Sequence, residues 1–134
     1  FKQLNTTYDV VFINSVLQYL TNPAELSEVV QGLHRLARLG GVIIIADVQD
    51  ARFKVQAMKD RMVNYSKHQT KLVKDGQHDT RSFFFRTDFI KIGNRMGVCT
   101  RILDTTKDLH LTQAMYFNAP YSFTVVYTSC KELD

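Results

Sequence analysis

The feature that most constrains the fold is a pair of continuous apolar runs. Residues 10–13 and residues 42–46 are both rich in β-branched side chains. Such runs are typical of strands buried on both faces of a parallel sheet. Asn14 and Ser15 follow the first run, and Asp47 follows the second. The pattern predicts two core strands that each end in small polar residues.

The segment between the runs has the periodicity of an amphipathic helix. Asn22 can cap its start, and Pro23 suits the first turn, where a missing N–H costs nothing. Apolar residues then recur at helical spacing on one face, namely Leu26, Val29, Val30, Leu33, Leu36 and Ala37. The glycine pair at 40–41 predicts the end of the helix. Strand, helix and strand form a right-handed βαβ unit with adjacent parallel strands, which places Asp47 beside Asn14.

These strand ends predict a functional site. Open α/β sheets bind ligands in the crevice outside the carboxyl ends of their strands, so we expect a site at residues 14–19 together with Asp47. Each candidate also has a purely structural interpretation. Asn14 is a common turn former at a strand end, Gln18 and Tyr19 suit the first turn of a connecting helix, and Asp47 suits a cap or turn.

The middle of the chain predicts two further helices. Residues 51–74 form a looser helical pattern, either a lid over the site or an ordinary surface helix, with an apolar stripe of Phe53, Met58, Met62 and Tyr65. Residues 75–80 are a loop by composition. Thr87 is predicted to cap a short helix that ends at Gly97.

Two more strands are predicted near the end of the chain, at residues 98–103 and 122–128. The long connection between them, residues 104–120, carries Tyr116 and Phe117, which could reach the site. His110 in the same connection is a weak candidate for a general base. No histidine shows metal-ligand spacing, so no metal site is predicted.

Composition sets further limits. A chain of 134 residues that is 45% hydrophobic predicts one domain. The formal charge of +4 comes from interspersed charges, which argues against a nucleic-acid partner. No apolar run approaches the ~18 residues of a membrane span.

Cys99 and Cys130 are interpreted as reduced, buried thiols of a cytoplasmic protein, with a disulfide between neighbouring strands as the alternative. Phe1 is not an initiator methionine, so we expect the chain to begin inside a longer gene product or after processing.

Residues 8–20 (YDVVFINSVLQYL) and 39–48 (LGGVIIIADV) resemble the fourth and fifth strands of class I S-adenosylmethionine-dependent methyltransferases. The sequences of these two segments are most similar to those of the methyltransferase domains of nonribosomal peptide synthetases and related small-molecule methyltransferases. This resemblance implies an α/β, three-layer Rossmann-like half-sheet in the strand order first, second, fourth, third, with the final strand antiparallel.

The resemblance also implies that residues 1–134 are the carboxyl-terminal part of such a domain. The family's first three strands and its glycine-rich cofactor turn would precede Phe1, and the six glycines of this chain form neither G-x-G-x-x-G nor a phosphate loop. The first strand would then be an unprotected edge, which predicts a homodimer or pairing with the missing amino-terminal segment.

By the same resemblance, Asn14, Ser15 and Val16 would contact S-adenosylmethionine, while Gln18, Tyr19 and Asp47 would face the substrate. The implied function is methyl transfer to a small-molecule or carrier-bound acceptor. The leading alternative is a non-catalytic binding module that keeps the scaffold, and a nucleotide-dependent oxidoreductase is a third possibility.

Overall fold

The part of the chain that the structure describes folds around a four-stranded sheet. The computed structural model describes residues 6–20, 22–64 and 82–130. Its strands lie in the order β1-β2-β4-β3, with bounds β1 Tyr8–Asn14, β2 Ala37–Gln49, β3 Cys99–Asp104 and β4 Ser122–Thr128. β1 and β2 are parallel, and β4 runs antiparallel to both of its neighbours. The predicted α/β fold class, strand order and antiparallel final strand are confirmed.

The described residues contain three α-helices: α1 Leu26–Leu36, α2 Lys54–Asn64 and α3 Arg86–Met96. Short 3-10 turns lie at Leu17–Tyr19, Pro23–Glu25, Ala51–Phe53 and Ala119–Tyr121. Asn22 caps the turn that leads into α1, since its Oδ1 accepts a hydrogen bond of 3.0 Å from the Ala24 N–H. No helix of the described residues is long and apolar enough to cross a membrane.

One face of the sheet carries the core. Residues at paired positions of β1, β2 and β4 share this face, and they are Val11, Ile13, Ile43, Ile45, Val125 and Tyr127. α1 covers them with Leu26, Val30 and Leu33, and α3 covers them with Phe89 and Ile92. The predicted apolar face of α1 is therefore the face that packs.

The opposite face of β1 is open in the described structure. Val10 and Phe12 alternate with the core positions and are 56% and 59% exposed. β1 is also the first strand in the sheet order, so one of its edges has no hydrogen-bonded neighbour among the described residues. An exposed apolar strand at a sheet edge is a surface that another chain segment can pair with.

The end of α1 differs from the prediction. The helix stops at Leu36, and β2 already begins at Ala37, which pairs with Tyr8. The glycine pair therefore lies inside β2. Gly40 has a φ of 77°, and the ladder shifts register between Tyr8 and Val10. Ala37 pairs with Tyr8 and regular pairing resumes at Val42, so tertiary pairing with β1 outweighs the helical periodicity at Ala37.

The two later helices also differ in detail. α3 begins at Arg86 with Phe85 at the N-cap, so Thr87 lies inside the helix, while Gly97 ends it in the left-handed conformation as predicted. α2 buries Ala57 and Arg61 instead of the predicted apolar stripe, of which Phe53 and Met62 are exposed. Tyr65, the predicted helical residues up to 74 and the predicted loop at 75–80 lie outside the described residues.

The two cysteines form a disulfide, which corrects the prediction of reduced thiols. Cys99 begins β3 and pairs in register with Thr128 of β4, so Cys130 lies just beyond that pair, and the two cysteine Cα atoms are 5.0 Å apart. The cytoplasmic prediction depended on reduced thiols. The bond removes that support, because disulfides persist mainly in oxidising compartments.

Candidate functional site

Asp47 does not end the second strand as predicted, because β2 shifts register between Ile45 and Val48 and continues to Gln49. The polar residues that follow β1 and that lie at this register shift in β2 are joined to each other. Asn14 pairs with Ala46, and the Ser15 N–H donates to the Ala46 carbonyl at 3.2 Å. The Ser15 hydroxyl donates to Oδ2 of Asp47 at 2.5 Å. The predicted position of Asp47 next to the end of the first strand is therefore confirmed.

Both residues of this contact have a left-handed backbone. The φ angles are 59° at Ser15 and 56° at Asp47. A non-glycine residue in this region costs roughly 1–2 kcal/mol, and such residues cluster at functional sites. Two of them on adjacent strands, joined through their side chains, make this edge the strongest candidate site in the described structure.

A cavity of about 250 Å³ opens at this edge. Three predicted residues line it: Asn14, Ser15 and Asp47. The other lining residues come from the end of β2, the β3–β4 connection and the start of β4, and they are Ala46, Thr105, Leu109, Leu111, Tyr116, Ser122 and Thr124. Of these, only Tyr116 was expected to reach the site. The rest follow from the antiparallel direction of β4, which starts where β2 ends.

Asp47 dominates the electrostatics of the cavity. Asp47 is only 8% exposed, and its Oδ1 accepts no hydrogen bond from the described residues. Burial, together with the neighbouring Asp47 carboxylate, raises the pKa of Tyr116 to about 12. The Tyr116 phenol is therefore protonated at neutral pH and faces the carboxylate as a donor group.

The other three predicted residues lie outside the cavity lining. Gln18 is buried, at 6% exposure, and its Nε2 donates to the Ser15 carbonyl at 3.2 Å. Its Oε1 has no partner among the described residues. Gln18 thus supports the turn that holds Ser15. Val16 is exposed, and Tyr19 is 71% exposed on the surface beyond that turn.

The β3–β4 connection is anchored beside the cavity. Thr105 is buried, and its hydroxyl donates to the Ser122 carbonyl at 2.9 Å and lies 2.8 Å from the Ser122 hydroxyl. Leu109 and Leu111 supply apolar wall. His110 between them has a φ of 58°, is exposed and does not line the cavity.

A buried ionic network that the sequence did not predict lies behind β2. The fully buried Asp50 accepts from Arg52 and from Arg86, each at 3.0 Å. Arg86 also pairs with Asp104 at the end of β3. This hydrogen-bonded guanidinium lowers the pKa of Asp104. The network fixes the end of β2 to the start of α3 and the end of β3, which positions the strand ends that form the cavity.

The described residues contain no group of three or more His, Cys, Asp or Glu side chains that could hold a metal ion. The cavity combines apolar walls with a few fixed polar groups, a combination that is typical of pockets for small organic ligands.

Comparison with known proteins shows a shared fold. No protein-family model matches the chain, and no curated protein matches it. Among solved structures, it is similar to a possible exported protein from Bordetella parapertussis, with a TM-score of 0.62 and 14% identity over 95% of this chain and 41% of that one. It is also similar to an O-methyltransferase family protein from Burkholderia thailandensis, with a TM-score of 0.54 and 13% identity over 93% of this chain and 31% of that one.

A third similar structure is magnesium protoporphyrin IX methyltransferase (ChlM) from Synechocystis PCC 6803 with bound SAH. Its TM-score is 0.56, with 18% identity over 95% of this chain and 47% of that one. The chain shares the fold of the corresponding part of these structures. It spans less than half the length of each of these three structures.

Proposed function

We propose that this chain is part of an S-adenosylmethionine-dependent methyltransferase that acts on a small-molecule or carrier-bound acceptor. The observation that carries the proposal is the cavity at the carboxyl ends of β1 and β2, in a chain whose fold is shared with methyltransferases. In open α/β sheets these strand ends are where ligands bind. The SAH bound to one of the similar proteins is the product that S-adenosylmethionine leaves after methyl transfer.

The residues present fit one wall of such a site. Asn14 and Ser15 offer an amide, a hydroxyl and a strained backbone, and we assign them with Val16 to the cofactor side. Gln18 and Asp47 each hold a buried oxygen without a partner among the described residues, and we assign them with Tyr19 to the substrate side. S-adenosylmethionine would supply the methyl group. The chain's own residues need mainly to orient the acceptor, with a base only where the acceptor must lose a proton.

We further propose that the full site needs a second segment. A cavity of about 250 Å³ is smaller than the roughly 300–1,000 Å³ of typical ligand pockets. The open edge of β1 and the exposed Val10 and Phe12 offer a surface for that segment. A preceding half of the same gene product is the leading occupant, and a second copy of this chain is the alternative.

A non-catalytic binding module that keeps this scaffold is the second candidate function. It is favoured by one observation, which is that no G-x-G-x-x-G occurs in the sequence. The gene sequence directly ahead of the codon for Phe1 discriminates between the two candidates. A glycine-rich strand-turn-helix there supports the enzyme, and a start codon at that point supports the module.

Calorimetric titration with S-adenosylmethionine tests the proposal. We expect no detectable heat with the 134-residue chain, and micromolar binding when the chain is joined to its upstream segment. Asn14→Ala should then weaken binding by about tenfold, which corresponds to roughly 1.4 kcal/mol. Asn94→Ala, at an exposed position of α3, is the matched control and should change nothing. Unchanged binding in the Asn14→Ala variant would refute the strand-end assignment.

A further inference from the structure

Asp47 presents a free carboxylate oxygen to the cavity. Oδ2 accepts the Ser15 hydroxyl, whereas Oδ1 accepts no hydrogen bond from the described residues. No lysine, arginine or histidine belongs to the described cavity lining. The Asp47 carboxylate is therefore the one charged side chain that a bound molecule would meet among the described residues of these walls.

A buried carboxylate with a vacant acceptor position is costly unless it is paired or hydrogen-bonded. Ser15 and Tyr116 are neutral donors, so they solvate the Asp47 carboxylate in part but leave its charge without a counter-charge and Oδ1 without a donor. A ligand that brings both a positive charge and an N–H donor would do so, and such charge-assisted hydrogen bonds are about twice as strong as neutral ones. The chemistry of the wall thus selects an ammonium over a hydroxyl, and it rejects a carboxylate.

The rest of the wall limits the size and polarity of the molecule. Leu109, Leu111 and Ala46 line the cavity with apolar surface. Its volume of about 250 Å³ exceeds the roughly 150 Å³ in which an engineered apolar cavity holds benzene. One ring or a branched aliphatic group with a short arm therefore fits within these walls.

We propose that this cavity binds a primary amine with an apolar body of about one ring, whose nitrogen donates to Oδ1 of Asp47. The proposal that an amine binds here depends only on the residues that line the cavity. Its role as the methyl acceptor rests on the proposed function. In that role the ammonium first gives one proton to Asp47, which passes it to solvent. A new N–C bond then forms as the S–C bond of S-adenosylmethionine breaks, leaving a methylated ammonium and SAH.

Titration of the ¹⁵N-labelled 134-residue chain with benzylamine, benzyl alcohol and benzoate tests the inference by amide chemical shifts. We expect benzylamine to bind most tightly, with shifts at Ala46 and Thr124, benzyl alcohol to bind more weakly, and benzoate not to bind. Asp47→Asn should weaken benzylamine binding by at least about tenfold and leave benzyl alcohol binding nearly unchanged. The variant should fold, because Asn has the same shape and tolerates the left-handed backbone.

Asp9→Asn is the matched control, since it makes the same change of net charge at an exposed site on β1. Benzylamine binding that falls equally in both variants would reduce the effect to general electrostatics and overturn the assignment. Benzoate binding as tightly as benzylamine would overturn it as well.

The amino group of S-adenosylmethionine is another source of the same chemistry, and L-methionine tests it. We expect methionine to bind more weakly than benzylamine, because its own carboxylate would enter an anionic cavity. Tighter binding of methionine would assign Asp47 to the cofactor and overturn the acceptor proposal. Benzylamine binding without any S-adenosylmethionine binding by the longer chain would refute the proposed function alone, and the reverse would refute this inference alone.

Discussion

Breaking the disulfide between Cys99 and Cys130 should strongly destabilise the chain. The two cysteines are 31 residues apart in sequence, and the bond closes a loop that contains β3, the connection over the cavity and β4. Cross-linking a loop of this length removes unfolded-state entropy equivalent to about 4 kcal/mol at 25 °C. For a domain of this size that corresponds to a fall in Tm of roughly 10–20 °C.

Urea denaturation followed by circular dichroism measures the effect. The double variant Cys99→Ser/Cys130→Ser and the wild-type chain under reductant should give the same lower free energy of unfolding. Both should also show a larger m-value than the oxidised chain, because the unfolded state without the cross-link is more expanded and exposes more surface.

Two results would refute this reasoning. Equal free energies of unfolding for the oxidised chain and the double variant would show that the cross-link contributes nothing. Two titratable thiols in the native chain, purified without reductant, would restore the interpretation of Cys99 and Cys130 as reduced residues.

Three further substitutions have distinct signatures. Gly93→Ala should destabilise the chain by about 2 kcal/mol despite the better helix propensity of Ala, because the new Cβ would lie 2.8 Å from the Tyr127 ring; a raised Tm contradicts this. The ion pair with Arg86 lowers the pKa of Asp104. The stability that Asp104 contributes is therefore complete above its unfolded pKa of about 3.9 and is lost as the pH falls through its folded pKa. Asp104→Asn should reduce this loss of stability at acid pH, as measured by denaturation curves at a series of pH values. The pKa of Tyr116 is raised to about 12. The stability that Tyr116 contributes is therefore complete below its unfolded pKa of about 10 and is lost as the pH rises through its folded pKa. Tyr116→Phe should remove this loss of stability at alkaline pH, and an unchanged dependence of stability on pH would contradict the prediction.

The strands were predictable because their signal is local. The apolar run at 10–13 lies within β1, and the predicted fourth strand at 122–128 has the observed bounds. The end of α1 was not predictable in the same way. Leu36 and Ala37 continue the helical periodicity, yet Ala37 pairs with Tyr8, and a local pattern does not contain that long-range pairing.

The candidate site likewise has a part that the sequence predicts and a part that depends on long-range contacts. Asn14 and Asp47 could be placed together because parallel neighbours in a βαβ unit bring their carboxyl ends to one edge. Thr105 and Ser122 could not, since their contact depends on where a long connection returns to the sheet. The disulfide is a similar case, because Cys99 and Cys130 become neighbours only through the pairing of β3 with β4.

Asp47 itself allows a last prediction that separates a ligand-binding role from a structural one. Substituting a buried residue that accepts a hydrogen bond normally destabilises a protein, and a cap or turn residue should follow that rule. Asp47→Asn instead removes a buried charge while it keeps an oxygen for the Ser15 hydroxyl and a side chain that tolerates a φ of 56°. We therefore expect the variant to be more stable than the wild type by about 1 kcal/mol in urea denaturation. Such a gain is typical of residues that serve function at the expense of stability. A loss of stability of similar size would mean that the carboxylate is needed by the fold, and Asp47 would then be the turn residue of the simpler interpretation.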